Sequence, residues 1–246
     1  MIKVVVNGAL GKMGKTVVNA VSNEKGMTFI QGLDVEDNLN SYLKENKVDV
    51  VVDFTRPENR MDNVNAILSN GAHAVVGTTG FTENDLKQVG KWCSEYKRNI
   101  IIGPNFAIGT IFQMYFAKLA AKHFDTVEIV EYHHDQKVDF PSGTAVKTAQ
   151  LMAEERDAFN LNTKDKVANI EGARGADFHG IKIHSVRLPG MVAHQEIIFG
   201  ATGQYLTLRH DATSRECYMP GVLLSIREVL NRTGLTYGLE DIFGLS

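Results

Sequence analysis

The chain has 246 residues, 43% of them hydrophobic and 22% charged, which is enough for one large or two small domains with an ample core. A net charge of −3 gives no reason to expect nucleic acid as a partner, and two cysteines, Cys93 and Cys217, build no disulfide framework and fit a reducing, cytoplasmic setting. No apolar run approaches the roughly 20 residues of a membrane span, and the N-terminus leads straight into a strand, so neither a membrane anchor nor a signal peptide is expected.

Ile2 to Val6 is a short β-branched run that predicts a buried parallel strand. It continues into Asn7-Gly8-Ala9-Leu10-Gly11-Lys12-Met13-Gly14 and then a helix over Lys15 to Glu24. Met27 to Leu33 predicts a second strand, ending at Asp34, an acid about 20 residues after the last glycine. This is the order of a dinucleotide site. The glycines make the tight turn and admit a pyrophosphate to the helix N-terminus, and Asp34 accepts from the ribose hydroxyls. The spacing Gly8-x-x-Gly11-x-x-Gly14 departs from G-x-G-x-x-G, and a glycine-rich turn with no ligand is the alternative.

The alternation continues with a strand over Val48 to Phe54, a helix over Pro57 to Ser69 and a strand over Ala72 to Val76. A helix over Thr82 to Tyr96, capped by Thr82 with Asp85 three residues on, precedes a strand over Asn99 to Ile102. Alternating strands and helices imply a doubly wound parallel sheet, whose ligands bind beyond the carboxyl ends of the strands. Here those ends are the glycine turn, Asp34, Phe54-Thr55, Gly77-Thr78-Thr79 and Pro104-Asn105-Phe106.

An apolar helix over Ile108 to His123 then crosses into a second domain, and Thr126 to Tyr132 predicts a strand. A helix follows over Ala145 to Phe159, and the polar stretch from Asn160 to Phe178 reads as a loop. Three strand-like runs, Ile181 to Leu188, Ala193 to Phe199 and Tyr205 to Arg209, are joined by turn signals and are expected to be antiparallel within a mixed sheet. Pro220 to Asn231 predicts an amphipathic helix, and the tail from Leu235 to Leu245 is short and mixed.

One stretch carries the chemistry: Glu131-Tyr132-His133-His134-Asp135-Gln136-Lys137-Val138-Asp139-Phe140-Pro141-Ser142-Gly143-Thr144-Ala145. Two histidines and a lysine stand just before a helix N-terminus, where free backbone N–H groups and the helix dipole favour an anion, a carboxylate or phosphate. Gly143 lets a ligand approach the backbone, and Ser142 or Thr144 can add a hydroxyl. Histidine and lysine together can divide proton donation and charge stabilisation. Neighbouring strand residues point to opposite faces, and the nearby carboxylates lack metal-ligand spacing, so no metal is expected at His133 and His134. A capped helix start gives a similar pattern, so a structural reading of the stretch remains open.

The stretch resembles the signature of the dihydrodipicolinate (4-hydroxy-tetrahydrodipicolinate) reductase family, Glu-x-His-His-x-x-Lys-x-Asp-Ala-Pro-Ser-Gly-Thr-Ala, with Phe140 standing for the usual alanine. Gly8 to Gly14, Val52-Asp53-Phe54-Thr55, Gly77-Thr78-Thr79-Gly80-Phe81, Pro104-Asn105-Phe106 and the region of His194 are also similar. The resemblance runs essentially end to end. It implies reduction of a cyclic dicarboxylate, 4-hydroxy-tetrahydrodipicolinate, with NADH or NADPH in bacterial diaminopimelate and lysine synthesis. It implies a Rossmann-like dinucleotide-binding domain over 1–106 and a substrate-binding and oligomerisation domain, α+β with a mixed sheet, over 107–214. Residues 215–246 would return to the first domain, and the assembly would be a homotetramer.

Roles follow for matching positions. His133 would be the catalytic acid/base and Lys137 a second proton donor, while His134, Lys137, Ser142, Gly143 and Thr144 would hold substrate. Gly8, Ala9, Leu10, Gly11, Lys12, Met13 and Asp34 would contact the cofactor, as would Gly77, Thr78, Thr79, Gly103, Pro104, Asn105 and Phe106. Two rivals remain: another two-domain NAD(P) enzyme, such as a semialdehyde dehydrogenase with a cysteine nucleophile, and a non-catalytic dinucleotide sensor.

Overall fold

A computed structural model describes residues 1–163 and 167–245. The chain forms two compact units, Met1–Ile108 with the segment from Arg215 onward, and Gly109–Ser214.

The first unit is built on six parallel strands: β1 (Ile2–Asn7), β2 (Met27–Leu33), β3 (Val50–Asp53), β4 (His73–Val76), β5 (Ile100–Ile102) and the chain's last strand, β11 (Leu235–Tyr237). Their order is β11-β5-β4-β3-β1-β2. The central strands are runs of valine and isoleucine because both faces of the sheet are covered. On one face α2 (Leu39–Glu45), α3 (Arg60–Ser69) and α4 (Glu83–Tyr96) pack against Val5, Val51, Val76 and Ile102. The alternate residues Val4, Val6, Val52 and Val75 are turned to the other face, which carries α1 (Lys12–Asn23) and α7 (Met219–Glu228). Arg227 of α7 pairs with Glu24 at the end of α1.

Several boundaries differ from the pattern in the sequence. The first helix begins at Lys12, not Lys15. Gly14 weakens the helical pattern, but it is needed there, since a Cβ at Gly14 would stand 2.0 Å from the Gly8 carbonyl oxygen. The expected helix from Pro57 opens as a 3₁₀ turn, Pro57–Asn59. Thr82 and Asp85 form the reciprocal capping box at α4. The short helix α2, capped by Asn38, carries too few apolar positions to register as periodic. The tail read as mixed supplies β11, whose three residues are too short for an alternation but pair in register with Ile100–Ile102.

The second unit is a five-stranded mixed sheet, order β10-β9-β6-β8-β7. Its strands are β6 (Thr126–His133), β7 (Ala176–Phe178), β8 (Ile181–Arg187), β9 (Ala193–Ala201) and β10 (Gln204–Ala212). The helices α5 (Ile108–Ala121) and α6 (Gly143–Ala153) cover one face, around Ile129, Ile181, Ile197 and Phe199. The three successive strands do alternate in direction within a mixed sheet, as expected, but β8 and β9 are not neighbours. β9 and β10 pair antiparallel, but β8 lies parallel to β6, which sits between β8 and β9. Pro189-Gly190 therefore carries the chain past β6. A turn signal marks where the chain bends, not which strand fills the gap. The helix expected to reach Phe159 stops at Ala153, and Phe159 enters the core from the segment beyond it. The stretch read as a loop from Asn160 holds β7, and its residues 164–166 lie outside those described.

A buried carboxylate organises the carboxyl end of the first sheet. Asp53, 1% exposed at the end of β3, accepts hydrogen bonds from Asn7 Nδ2 at 2.7 Å, Asn63 Nδ2 at 2.9 Å and Thr78 Oγ1 at 2.6 Å. Thr55 adds its hydroxyl at 2.9 Å and its N–H at 3.2 Å. One side chain thus ties β1, β3, α3 and the segment after β4. Asp53→Ala would strand these donors away from water, so we expect urea denaturation to reveal a loss of about 3 kcal/mol or more. A loss below about 0.5 kcal/mol, the range of ordinary surface changes, would show that Asp53 does not hold these strand ends together.

Candidate active site

Strand alternation sets the site of the second unit. Glu131 and His133 are two residues apart on β6 and share the helix-covered face, with Arg187 of β8 in register beside His133. Glu131 is completely buried. One carboxylate oxygen, Oε2, lies 2.5 Å from His133 Nδ1 and 2.9 Å from the Nη1 donor of Arg187. The other, Oε1, accepts from Arg187 Nη2 at 2.8 Å and from the Ser142 N–H at 3.2 Å. Burial by itself would raise the Glu131 carboxyl. Hydrogen bonds from His133, Arg187 and Ser185 outweigh it and hold the group down at about 2. Glu131 is therefore an anion, and an anionic carboxylate only accepts.

The loop after β6 is tied to the same cluster. Arg187 Nη2 also donates to the Asp139 carbonyl at 2.8 Å. Ser142 caps α6, its Oγ accepting from the Ala145 N–H at 3.2 Å, so this candidate substrate residue is committed to the helix start. The next residue, Gly143, is exposed, and a Cβ there would meet nothing within 4 Å. The space at the helix N-terminus is therefore open, as an anion bound to its N–H groups requires. Behind it, the Thr144 carbonyl accepts from Thr148 Oγ1, which in turn accepts from Gln195 Nε2 at 3.0 Å. Lys137 Nζ pairs with Asp139 at 2.6 Å, and His134 is held through its carbonyl by the Lys137 N–H. Phe140, the departure from the family signature, is 76% exposed on this loop.

In the first unit a cavity of about 590 Å³ opens at the carboxyl end of the sheet, lined by Gly8, Gly11, Asp34, Asn38, Thr55 and Arg56 among others. A slightly larger concavity, about 620 Å³, opens at the opposite end, beside His73 and Arg98, where open parallel sheets do not bind their ligands. At the carboxyl end Gly8 has φ +83°, and a Cβ there would stand 2.6 Å from the Phe54 carbonyl oxygen. Asp34 Oδ2 accepts the Leu10 N–H at 2.8 Å, fixing the glycine turn against the end of β2.

Not every candidate cofactor residue lines this cavity. The Gly77 and Gly103 positions are filled from outside, since Cβ atoms there would run into the rings of Phe54 and Phe106 at 2.1 and 2.5 Å. Thr78 is turned to Asp53, and Phe106 is buried against Phe54 with ring centroids 5.8 Å apart. Asn105 Oδ1 accepts the Ala107 N–H. Arg56, absent from the sequence expectation, brings a cation to the cavity wall. Arg187 was also missed. It is 56 residues from Glu131, and only the parallel pairing of β6 with β8 brings them together. The sole signal was Glu131 itself, an acid two residues before a histidine in a strand.

The cysteines offer no nucleophile. Burial in α4 pushes the Cys93 thiol up to about 11, and burial raises Cys217 as well, so neither forms a thiolate at neutral pH.

Comparison with known proteins places these features in a family. The profile described as dihydrodipicolinate reductase, N-terminus, matches residues 2–106, and that of the C-terminus matches 109–243. The 4-hydroxy-tetrahydrodipicolinate reductase of Mycolicibacterium smegmatis is 49% identical over 245 residues, covering 99% of this chain and 100% of the relative. That of Mycobacterium marinum is 48% identical over 244 residues, 99% of each chain. The solved dipicolinate-bound dihydrodipicolinate reductase of Paenisporosarcina sp. TG-14 superposes with a TM-score of 0.92 at 43% identity, covering 98% of this chain and 99% of that one. A probable dehydrogenase from Thermotoga maritima shares the fold, with a TM-score of 0.65 at 12% identity. Matched along essentially its whole length, the chain belongs to the dihydrodipicolinate reductase family.

Proposed function

We propose that the chain reduces 4-hydroxy-tetrahydrodipicolinate to tetrahydrodipicolinate with NADH or NADPH, in diaminopimelate and lysine synthesis. The observation that carries this reading is His133, held by a buried carboxylate close in sequence to an open helix N-terminus at Gly143. A semialdehyde dehydrogenase would need a reactive thiolate, and a sensor has no use for a histidine held in this way. The glycine turn and Asp34 fit a dinucleotide, and the open α6 terminus fits a carboxylate. The bound dinucleotide supplies a hydride to the conjugated imine ring that the substrate becomes on losing its hydroxyl as water.

Electron density then moves toward the ring nitrogen, and the resulting enamine takes a proton on carbon. His133 delivers that proton from Nε2, keeping its Nδ1–H on Glu131. Lys137 leaves Asp139 to meet a substrate carboxylate and the charge developing in the transition state. His134 and the Gly143 and Thr144 N–H groups orient the carboxylates. We further propose a cytoplasmic homotetramer joined through the second-unit sheets, as the family resemblance implies.

Three outcomes test this reading. Asp34 favours a free ribose 2′-hydroxyl, so kcat/KM with NADH should at least equal that with NADPH, and a strong NADPH preference would contradict the role of Asp34. Gly143→Ala puts a methyl group into the open space. It should lower kcat/KM by about 10²-fold and abolish competitive inhibition by pyridine-2,6-dicarboxylate, with the melting temperature unchanged. Wild-type inhibition in that variant would remove the carboxylate from the α6 terminus. His133→Gln should cut kcat by about 10²-fold, and Lys137→Ala should cut kcat/KM by about 10² to 10³, both with NADH binding intact. If either folded variant turns over at the wild-type rate, its assigned role is wrong.

A further inference from the structure

We propose that Glu131 and Arg187 act as a positioning pair for His133. The carboxylate fixes the imidazole with its proton on Nδ1, and the guanidinium moderates how tightly the ring holds its second proton. This deepens the proposed function and rests on His133 being the proton donor of that reaction.

The geometry supports both halves. Glu131 is held as an anion, and its Oε2 stands 2.5 Å from Nδ1. An anionic carboxylate has no proton to offer, so Nδ1 must donate. Nε2 is then the atom that gains and loses a proton, and among the described residues it has no hydrogen-bond partner. A carboxylate alone, 0% exposed beside the ring, would stabilise the imidazolium strongly and hinder release of its proton. Arg187 meets the same carboxylate with two parallel hydrogen bonds, at 2.8 and 2.9 Å, so much of the negative charge is already engaged. The cluster is neutral when His133 is neutral and carries one positive charge when it is protonated.

Among the described residues, the other titratable group on this face is His210 of β10, in register with Gln195 and held 3.1 Å from Thr110 Oγ1, one strand further from the ring. On β9, Ala193 and Gln195 are in register with His133 and Glu131. The first turn of α6 contributes Gly143, Thr144 and Ala145. In the loop, Lys137 and Asp139 are paired with each other. On the opposite face of the sheet, His194 of β9 and Arg209 of β10 are both engaged by Asp211. Arg187 has a second task, since its bond to the Asp139 carbonyl ties the loop carrying Lys137 to the same pair.

The test is the pH dependence of kcat in three variants of the full chain, with melting temperature and NADH dissociation constant measured on the same preparations. For a general acid, kcat falls as pH rises through the titration of the donor. Glu131→Gln removes the anion and leaves Arg187 beside the ring, so the imidazolium is disfavoured. The falling limb should move to lower pH by about one unit or more, and kcat at pH 7.5 should drop about tenfold or more. Arg187→Met leaves the carboxylate unshared, and the limb should move to higher pH. A packing role cannot give shifts of opposite sign. The double variant Glu131→Gln/Arg187→Met leaves no unpaired buried charge and should regain thermal stability over the single variants while kcat stays low. This holds the test open should Glu131→Gln fail to fold. Shifts of the same sign, unshifted profiles, or a double variant that recovers wild-type kcat would each overturn the pair's role. A wild-type kcat in His133→Gln would instead locate the failure one step earlier, in the assignment of His133 itself.

Discussion

A carboxylate with no exposure must be paired where it stands, and Glu131 meets that demand with a histidine, an arginine and a backbone N–H. With Ser185 beside Arg187 on β8, the partners come from three parts of the second unit: β6, β8, and the residue that caps α6. The strand end, the loop and the helix start are thereby fixed to one atom group. The ion pair contributes little net stability if it follows other buried pairs, and breaking it on one side is costly. What it secures is geometry: a histidine held in one orientation close in sequence to a helix N-terminus whose first residue has no side chain.

The first unit solves a related problem in a different way. Asp53 gathers Asn7, Thr55, Asn63 and Thr78 without a cation, and so defines the floor at the carboxyl ends of β1, β3 and β4. The aromatic rings of Phe54 and Phe106 lie over Gly77 and Gly103. These glycines are required by the packing of the crevice floor, whether or not a cofactor touches them. Gly8 and Gly11, by contrast, line the cavity directly. In both units the polar machinery stands where strands end, since there the sheet stops supplying backbone partners and side chains must take over.

Much of this was legible in the sequence because the signals were local. The βα turn with its glycines, the capped start of α4 and the alternation of β6 each need only a few consecutive residues. Long-range pairing was not legible. Nothing near Pro189-Gly190 says that β6 lies between the strands on either side, and so nothing pointed to Arg187. Lengths also set a limit: β11 has three residues and α2 has seven, too few for a period to emerge. Ser142 reads equally as a ligand contact or a cap from sequence, and the structure gives its hydroxyl to the cap.

The central claim is that Glu131 fixes the proton of neutral His133 on Nδ1. Nitrogen NMR of the full chain labelled in its histidines, with His133 identified by its loss in His133→Gln, reads this directly. Above the titration of the ring, the account predicts a protonated Nδ1 and a bare Nε2. A neutral ring with its proton on Nε2 would contradict it.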